Sequence, residues 1–259
     1  MVNLKKYNAL LRYFVLILTI FSLLSCAEKK LHLNKIEGKQ LPISETLSAT
    51  NSIENFIEPY RKHIDKDLNT VLAYAPENID KKGEWQTKIG NLQSTITLAA
   101  ANKMFQIREN KKVDVCLLNN GGIRAIINKG NITTRTAFEL MPFENNLVVV
   151  ALKGEQILEM INYIINEKKP HPLAGLTFTI DKNNFAKNIL IQYQPLDDQK
   201  VYYVATNDYL YNGGDNMNFF KKGIQLYDLD YKIRNIWVDY FKEIDTIPVV
   251  SDVRIIKEN

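Results

Sequence analysis

A short polar segment rich in glycine constrains this chain more than any other feature of its sequence. The apolar run 113–118 ends in Asn119-Asn120-Gly121-Gly122-Ile123-Arg124. Glycine has no Cβ, so the backbone at Gly121 and Gly122 can adopt positive φ and approach a ligand closely. Arg124 adds a planar, permanently charged fork that suits phosphate or carboxylate oxygens. An ordinary surface turn followed by an exposed arginine would give the same residues, so this segment alone leaves both interpretations open.

A second glycine turn follows a second strand-like run. Residues 200–206 are rich in β-branched and aromatic side chains, which is typical of strands. They lead into Asp208-Tyr209-Leu210-Tyr211-Asn212-Gly213-Gly214-Asp215. Between the two turns lies Met141-Pro142-Phe143-Glu144-Asn145, in which a proline fixes the backbone just before an aromatic ring. The chain therefore has three turn-like segments, and each carries an aromatic or charged side chain.

Taken together, the three segments resemble motifs of the C-terminal, substrate-recognition domain of the 5′-nucleotidases, of the UDP-sugar hydrolase and ecto-5′-nucleotidase type. The family patterns are Asn-Gly-Gly-Gly-Ile-Arg, then Pro-Phe-Gly/Glu-Asn, then a strand end leading to Asn-Gly-Gly-Asp. This chain has close matches to all three, in that order. The resemblance extends over about residues 43–256. It implies an α+β (mixed α/β) fold in which a sheet is flanked by helices.

The resemblance also implies a role for the two aromatic side chains of the motifs. Phe143 and Tyr209 correspond to the positions that sandwich a nucleobase in the family. Stacking on such a ring contributes about 1–3 kcal/mol and depends little on the base. The family often has phenylalanine where this chain has Tyr209, a change that keeps the aromatic face. For either ring taken alone, burial in the hydrophobic core is the competing interpretation.

The polar motif residues correspond to positions that bind the rest of a nucleotide. Asp215 matches the carboxylate that accepts hydrogen bonds from the ribose hydroxyls, because an ionised carboxylate offers only acceptors; stabilising its own turn is the alternative. Asn119 matches a residue that reaches the base or ribose, or it only holds its turn. Arg124 matches the arginine on the phosphate side. Four glycines would let the backbone pass close beneath the ligand: Gly121, Gly122, Gly213 and Gly214.

The chain departs from the family pattern around Gly90-Asn91-Leu92. The family commonly has an arginine and a glutamate just before this segment, at places that correspond approximately to Gly83 and Gln86. An Asp-Ala pair expected just after it is Thr95-Ile96 here. Loss of one arginine predicts weaker phosphate binding, because a charged hydrogen bond contributes roughly 1.5–3 kcal/mol. A nearby lysine could act as a point charge instead, the candidates being Lys81, Lys82 and Lys88.

The N-terminal segment is typical of a secreted bacterial lipoprotein. A positive stretch with Lys5, Lys6 and Arg12 precedes an apolar stretch that is too short to span a membrane comfortably. The apolar stretch ends in Leu23-Leu24-Ser25-Cys26, which resembles a lipobox and predicts lipidation of Cys26. An ordinary signal peptide or a short anchor with an incidental cysteine is the alternative.

These features predict three regions along the chain. We expect a lipoprotein signal peptide over residues 1–26, a linker over 27–42, and one substrate-binding domain over 43–259. The acyl chains on Cys26 would tether the domain to a membrane of the bacterial cell envelope. The sequence does not specify the periplasmic or the surface face.

Composition narrows the classes of function. With 259 residues and 46% apolar content, the chain can bury one substantial core. Its formal net charge is +4, with acids and bases mixed throughout, which argues against a track for a nucleic acid polymer. Cys116 is the one cysteine besides Cys26, and we expect it to be a small core residue.

No catalytic group of residues is apparent. Full-length 5′-nucleotidases carry a two-metal phosphoesterase domain with His, Asp and Asn ligands. This chain has three histidines, His32, His63 and His171, which belong to no metal-binding motif, so we expect each to be solvated. Serine-hydrolase elbows, Walker-type phosphate loops and zinc-binding helices are missing from the sequence too. The prediction is a recognition domain without a catalytic residue, cofactor or metal of its own, the divalent metals belonging to a partner metallophosphoesterase.

Two functional hypotheses follow. In the first, the chain recognises a nucleoside or nucleotide for a 5′-nucleotidase-type phosphohydrolase of nucleotide catabolism, whose metal-bearing half is a separate metallophosphoesterase chain. In the second, it is a stand-alone lipoprotein that binds nucleosides or nucleotides and hydrolyses nothing. A domain that kept the fold and lost the ligand is a third interpretation, favoured by the missing arginine and glutamate. The sequence specifies neither the base nor the number of phosphates.

Hydrophobic periodicity predicts the elements that carry the motifs. Apolar residues at three- and four-residue steps predict helices from Asn51 onward, over about 90–107, over 154–167 and around 231–240. Apolar or β-branched runs predict strands over 113–118, 146–152, 176–180, 189–193 and 202–206.

Overall fold

A computed structural model describes residues 4–23, 33–44, 47 and 50–258. The chain divides into two units, residues 1–51 and 52–259. The described part of the first unit consists of helix α1 (Leu4–Leu23) and a segment without regular structure, residues 33–44. Within the described residues, no helix combines the length and apolar character that crossing a bilayer requires. Cys26 and His32 lie outside the described residues, so the lipidation site stays a prediction.

The second unit contains the elements that carry the three motifs. Its helices are α2 (Asn51–Leu68), α3 (Lys88–Glu109), α4 (Thr134–Leu140), α5 (Gly154–Glu167), α6 (Asp208–Tyr211) and α7 (Ile233–Glu243). Its strands are β1 (Val71–Ala75), β2 (Val115–Leu117), β3 (Gly130–Thr133), β4 (Asn146–Lys153), β5 (Leu173–Ala174), β6 (Leu176–Ile180), β7 (Ala186–Ile191), β8 (Gln194–Pro195), β9 (Val201–Asn207), β10 (Gln225–Lys232) and β11 (Ile255–Lys257). The predicted mixture of sheet and flanking helices is confirmed.

A five-stranded sheet in the order β10-β4-β9-β2-β5 positions the motifs. β9 pairs in parallel with β2, with Val115 opposite Val204, and antiparallel with β4, with Leu147 opposite Asn207. Because of these directions, the C-terminal ends of β2 and β9 and the start of β4 lie at one edge of the sheet. The first turn follows β2, the Pro-Phe segment precedes β4, and the second turn follows β9, so all three meet at this edge.

Helices cover both faces of this sheet. Along β4, Val148 and Val150 pack into one hydrophobic cluster with α5, while Leu147 and Val149 pack into another with α3 and α7. The alternation follows from the two-residue period of a strand, and burial on both faces explains why the run is apolar throughout. Cys116 is fully buried in the α3 cluster, as predicted, and burial raises the pKa of its thiol.

Most predicted elements are present, with shifted ends. The helix predicted from Gly90 begins earlier, at Lys88, because the hydroxyl oxygen of Thr87 accepts a hydrogen bond from the Gly90 N–H at 3.0 Å and caps it. The helix predicted around 231–240 begins at Ile233, and the preceding residues form β10. Two smaller sheets complete the unit, β1-β3 and β11-β6-β7-β8, and most of their strands were not predicted.

The C-terminal segment is fastened to the start of α3 by a polar cluster. The side-chain oxygen of Gln86 accepts the backbone N–H groups of Arg254 (2.7 Å) and Ile255 (3.1 Å), and its amide nitrogen donates to the Asp252 carbonyl (3.1 Å). The guanidinium of Arg254 is buried and donates to Ser94, Thr95, Leu173 and Asp252. Gln86 and Thr95, two departures from the family pattern, therefore bind the C-terminal segment.

Replacing Gln86 with leucine removes three hydrogen bonds and leaves two backbone N–H groups of the C-terminal segment unpaired. We expect the Gln86→Leu variant to lose about 1–3 kcal/mol of unfolding free energy, measured by urea denaturation. Gln199→Leu, in an exposed loop, is the matched control. Equal stability of the two variants would contradict this account of the C-terminal segment.

Candidate functional site

A cavity of about 360 Å³ opens at the sheet edge where the three motifs meet. This volume is within the usual range for sites that bind small molecules. A larger cavity of about 540 Å³ lies between α3 and α7 and is lined by none of the motif residues. Seven of the nine binding residues proposed from the sequence line the smaller cavity, together with Met141, Asn145 and Asn207: Asn119, Gly121, Gly122, Arg124, Phe143, Tyr209 and Asp215.

Both motif aromatics are exposed at this cavity. Phe143 is 41% exposed and Tyr209 is 44% exposed, so the competing interpretation of either ring as a core residue is wrong. The Arg124 guanidinium lies over the Phe143 ring, with its Cζ 5.9 Å from the ring centroid. A cation at that distance is attracted by the ring's quadrupole. Two exposed aromatic rings and one permanently charged side chain therefore line the cavity.

The segment that carries Phe143 is held from two sides. Arg234 is buried, donates to the Pro142 carbonyl (3.4 Å) and pairs with Glu144, and this pairing lowers the pKa of Glu144. On the other side, the Asn145 amide donates to the Asp208 carboxylate at 3.0 Å. Since Asp208 begins the helix that carries Tyr209, this bond ties the two aromatic segments together.

Asp215 joins the first turn to the second. Its carboxylate accepts a hydrogen bond from the Asn119 side-chain amide (2.8 Å) and another from the Tyr209 hydroxyl (2.9 Å). The bond from Asn119 spans the two turns, whereas the bond from Tyr209 lies within the second turn, so Asp215 also stabilises its own turn. The bond to Asp215 raises the pKa of the Tyr209 hydroxyl, which therefore stays a donor.

Asn119 is largely buried and lines the cavity. Its side-chain amide binds Asp215 of the second turn, and it makes no side-chain capping bond to the short helix that follows it in its own turn. The role of Asn119 toward a base or ribose stays a prediction.

The second pair of glycines lies beneath Tyr209 and outside the cavity lining. Gly213 has φ +93°, a backbone conformation that residues with a Cβ rarely adopt. A Cβ on Gly214 would come within 2.4 Å of the Tyr209 ring. Gly214 thus makes room for the Tyr209 ring, and Gly213 supplies the positive φ of the turn, whereas the prediction from sequence assigned both to the ligand.

Of the three lysines considered as substitutes for the missing arginine, one reaches the first turn. Lys81 donates to the carbonyls of Ile123 (2.7 Å) and Asn120 (3.3 Å), and burial, with a smaller effect from Arg124, lowers its pKa. Lys82 and Lys88 instead pair with nearby carboxylates. Lys81 therefore supports the turn that presents Arg124.

Two side chains behind the cavity were not recognised from the sequence. His171 was expected to be solvated, and this is wrong: the residue is buried, and its Nδ1 accepts the Asn120 N–H at 3.3 Å. Tyr163 on α5 donates its hydroxyl to the Asp215 carbonyl at 2.7 Å. Only the flanking prolines of His171 hinted at an ordered segment. His63, by contrast, is exposed on α2, as expected.

The acidic and histidine side chains around the cavity are the groups that could form a metal site. Among the described residues, no cluster of three or more His, Cys, Asp or Glu side chains could hold a metal ion. The acidic groups near the cavity are Asp208 and Asp215, and both are engaged with neutral partners. The donor set does not fit the dinuclear centre of a phosphoesterase, and no step through a metal is assigned to this chain.

Comparison with known proteins identifies the family. The family model described as 5′-nucleotidase, C-terminal domain, matches residues 70–222, more than half of the chain. The chain belongs to this family. The trifunctional nucleotide phosphoesterase protein YfkN of Bacillus subtilis is 26% identical over 222 residues, which cover 79% of this chain and 15% of that protein. The cell wall protein Lmo0130 of Listeria monocytogenes is 29% identical over 227 residues, which cover 81% of this chain and 26% of that protein.

Solved structures share the fold. The 5′-nucleotidase precursor from Thermus thermophilus superposes with a TM-score of 0.68 at 24% identity, covering 81% of this chain and 43% of that chain. The present chain thus spans less than half the length of each of these relatives. It corresponds to the C-terminal domain of the 5′-nucleotidases.

The buried His171 predicts a pH dependence of stability. Burial lowers its pKa from about 6.5 to about 4, so between these values the unfolded chain binds a proton that the folded chain excludes. The unfolding free energy therefore has its full value above pH 6.5 and decreases by about 3 kcal/mol as the pH falls toward 4. We expect His171→Phe to flatten the slope of unfolding free energy against pH in this window. His63→Phe, at an exposed position, should keep the slope, and equal slopes for all three proteins would contradict the assignment.

Proposed function

We propose that this chain is the recognition component of a 5′-nucleotidase-type phosphohydrolase. It binds the nucleoside part of a nucleotide, and a separate metallophosphoesterase chain supplies the metals and hydrolyses the phosphate ester. Membership of the 5′-nucleotidase C-terminal domain family supports the nucleotide as the ligand class. The proposal concerns this chain's own cavity and requires no metal in it.

One observation carries the proposal. Two exposed aromatic rings, a carboxylate and a guanidinium line a single cavity: Phe143, Tyr209, Asp215 and Arg124. Each group has a partner in a nucleotide, since a base stacks on aromatic faces, a ribose diol donates to a carboxylate, and a phosphate pairs with a guanidinium.

The Asp215 carboxylate is suited to a diol while its present bonds stay in place. An ionised carboxylate has about four acceptor sites. Asn119 occupies one site on one oxygen, and Tyr209 occupies one on the other. One site on each oxygen therefore remains for two vicinal hydroxyl groups. The present bonds also fix the direction of the carboxylate before the ligand arrives.

We further propose that the domain works at the bacterial cell envelope, tethered by lipid on Cys26. The sequence Leu23-Leu24-Ser25-Cys26 supports this location, as does similarity to a cell wall protein of Listeria monocytogenes. Labelling cells with a palmitate analogue should tag the native chain and leave Cys26→Ala untagged.

Calorimetry with adenosine and AMP tests the binding role. Phe143→Ala should lower the affinity for both ligands by about fivefold to a hundredfold, because stacking on one ring contributes about 1–3 kcal/mol. Asp215→Asn should weaken adenosine about tenfold or more, because it removes charge from hydrogen bonds to the ribose. The same variant should change little the binding of 2′,3′-dideoxyadenosine, which has no diol.

Matched substitutions separate this role from general damage. Phe185→Ala removes an exposed ring and Asp198→Asn an exposed carboxylate, both remote from the cavity lining. Affinities of Phe143→Ala and Asp215→Asn equal to those of the controls would overturn the assignment of the cavity.

Reconstitution tests the split-enzyme role. Mixing this chain with a secreted metallophosphoesterase that lacks a recognition domain, sought first in the neighbouring reading frame, should accelerate AMP hydrolysis. The acceleration should be lost in Phe143→Ala and Tyr209→Ala, because under this proposal the base of the substrate stacks on these two rings. Hydrolysis of a small generic phosphate ester should not respond to either variant.

Binding of AMP without acceleration by any such partner would reject the split enzyme. In that case the chain would be a stand-alone binding lipoprotein for nucleosides or nucleotides. Absence of binding together with absence of acceleration would favour a domain that has lost its ligand.

A further inference from the structure

Two ring side chains behind the cavity each bind the backbone of one glycine turn. His171 accepts the Asn120 N–H on its Nδ1 at 3.3 Å, and Tyr163 donates its hydroxyl to the Asp215 carbonyl at 2.7 Å. Neither ring lines the cavity itself. Together they contact the two turns whose side chains meet in the Asn119–Asp215 hydrogen bond.

The histidine is held in one protonation state by its surroundings. Because Nδ1 accepts a hydrogen bond, the proton of the neutral ring lies on Nε2. Nε2 is buried and has no hydrogen-bond partner among the described residues. Burial is the largest influence on the His171 pKa and lowers it; among the charged groups near the ring, Lys169 lowers the pKa as well, while Asp215 and Glu167 raise it by less than burial lowers it. A ring this buried and neutral acts as a hydrogen-bond acceptor for the turn.

The tyrosine supports a backbone that is strained. Asp215 has φ +50° and Asn216 has φ +60°, in the left-handed region that residues with a Cβ seldom occupy. Asp and Asn tolerate this conformation better than other residues with a Cβ, and contacts from outside the turn help to hold it. The Tyr163 hydroxyl is one such support, because it fixes the Asp215 carbonyl from outside the turn.

The two rings touch each other, so the supports are joined. Their centroids are 5.6 Å apart at an interplanar angle of 43°. His171 lies between Pro170 and Pro172, and the Pro172 carbonyl accepts the Leu118 N–H at 2.9 Å, which fastens the histidine segment along β2. Tyr163 also packs against Phe219 at 5.7 Å, beyond the second turn.

We propose that Tyr163 and His171 form a positioning pair that sets the distance between the two glycine turns and so aligns Asn119 with Asp215 across the cavity. The contact between the rings makes the position of one turn depend on that of the other. The ligand-binding part of this inference rests on the proposed function, and its structural part does not.

Four variants of the full chain test the pair by adenosine calorimetry: Tyr163→Phe, His171→Phe, the double variant and His171→Asn. Tyr163→Phe keeps the ring and removes one hydroxyl, so affinity should fall about twofold to tenfold. His171→Phe leaves the Asn120 N–H without its acceptor, and affinity should fall about tenfold. The double variant should lose less than the product of the two losses, because the two hydrogen bonds hold turns whose positions depend on each other.

Rescue separates positioning from general stability. In His171→Asn the side-chain oxygen is attached at Cγ, as Nδ1 is in histidine, so the acceptor for the Asn120 N–H returns while the ring contact with Tyr163 stays lost. This variant should recover part of the affinity that His171→Phe loses. Tyr193→Phe and His63→Phe, both exposed, are the controls. Lower melting temperatures with unchanged adenosine affinity, or failure of His171→Asn to exceed His171→Phe, would overturn the proposal.

A second measurement needs no ligand and therefore separates failure of this inference from failure of the proposed function. With ¹⁵N-labelled histidine, the ring nitrogens of His171 should show Nδ1 unprotonated and Nε2 protonated at neutral pH. Tyr163→Phe should shift the backbone amide of Asn120, and His171→Phe should shift that of Asp215. If each substitution disturbed only its own turn, the pair would not couple the turns, whether or not adenosine binds.

Discussion

The parallel pairing of β2 with β9, with β4 antiparallel on the far side of β9, is the constraint on which the site depends. Val115 opposite Val204 and Leu147 opposite Asn207 fix where each strand ends relative to its neighbours. A slip of one residue along β4 would exchange the side chains that pack with α5 for those that pack with α3 and α7, and both packings would be disrupted. The register therefore holds, and the three loops meet at one edge. Positions remote in sequence thereby become one cavity.

Once the loops meet, short polar contacts determine how rigid the cavity is. Asn119 and Tyr209 hold the two oxygens of Asp215, and Asn145 holds Asp208 at the start of α6. These bonds link all three motifs into one network. The family often has phenylalanine at the position of Tyr209. The tyrosine keeps the aromatic ring and adds a hydroxyl that donates a hydrogen bond to Asp215. A carboxylate oriented beforehand loses less freedom when a ligand binds.

The sequence was most informative where a local pattern sufficed. The bounds of α5 follow from its apolar period after Gly154, and the motif order predicted the family and most of the cavity lining.

Contacts between residues that are distant along the chain could not be predicted from local patterns. His171 stands in a polar stretch beside charged residues, and its burial arises because Pro172 pairs with Leu118. Tyr163 occupies the partly polar side of a helix, and nothing local indicates that its hydroxyl reaches Asp215. Strand β10 was not predicted, and its last two residues were assigned to the helix that follows it.

The departures from the family pattern bear on which part of a nucleotide this chain recognises. Gln86 and Thr95 bind the C-terminal segment, and Lys81 supports the first turn, so none of them lines the cavity. Arg124 is the one arginine among the lining residues. A phosphate held by one guanidinium is bound less firmly than one held by several donors. Under the proposed function this division is reasonable, because a two-metal centre binds the phosphate oxygens itself. Recognition of base and ribose would then suffice for this chain, and its contribution to specificity would come from the nucleoside.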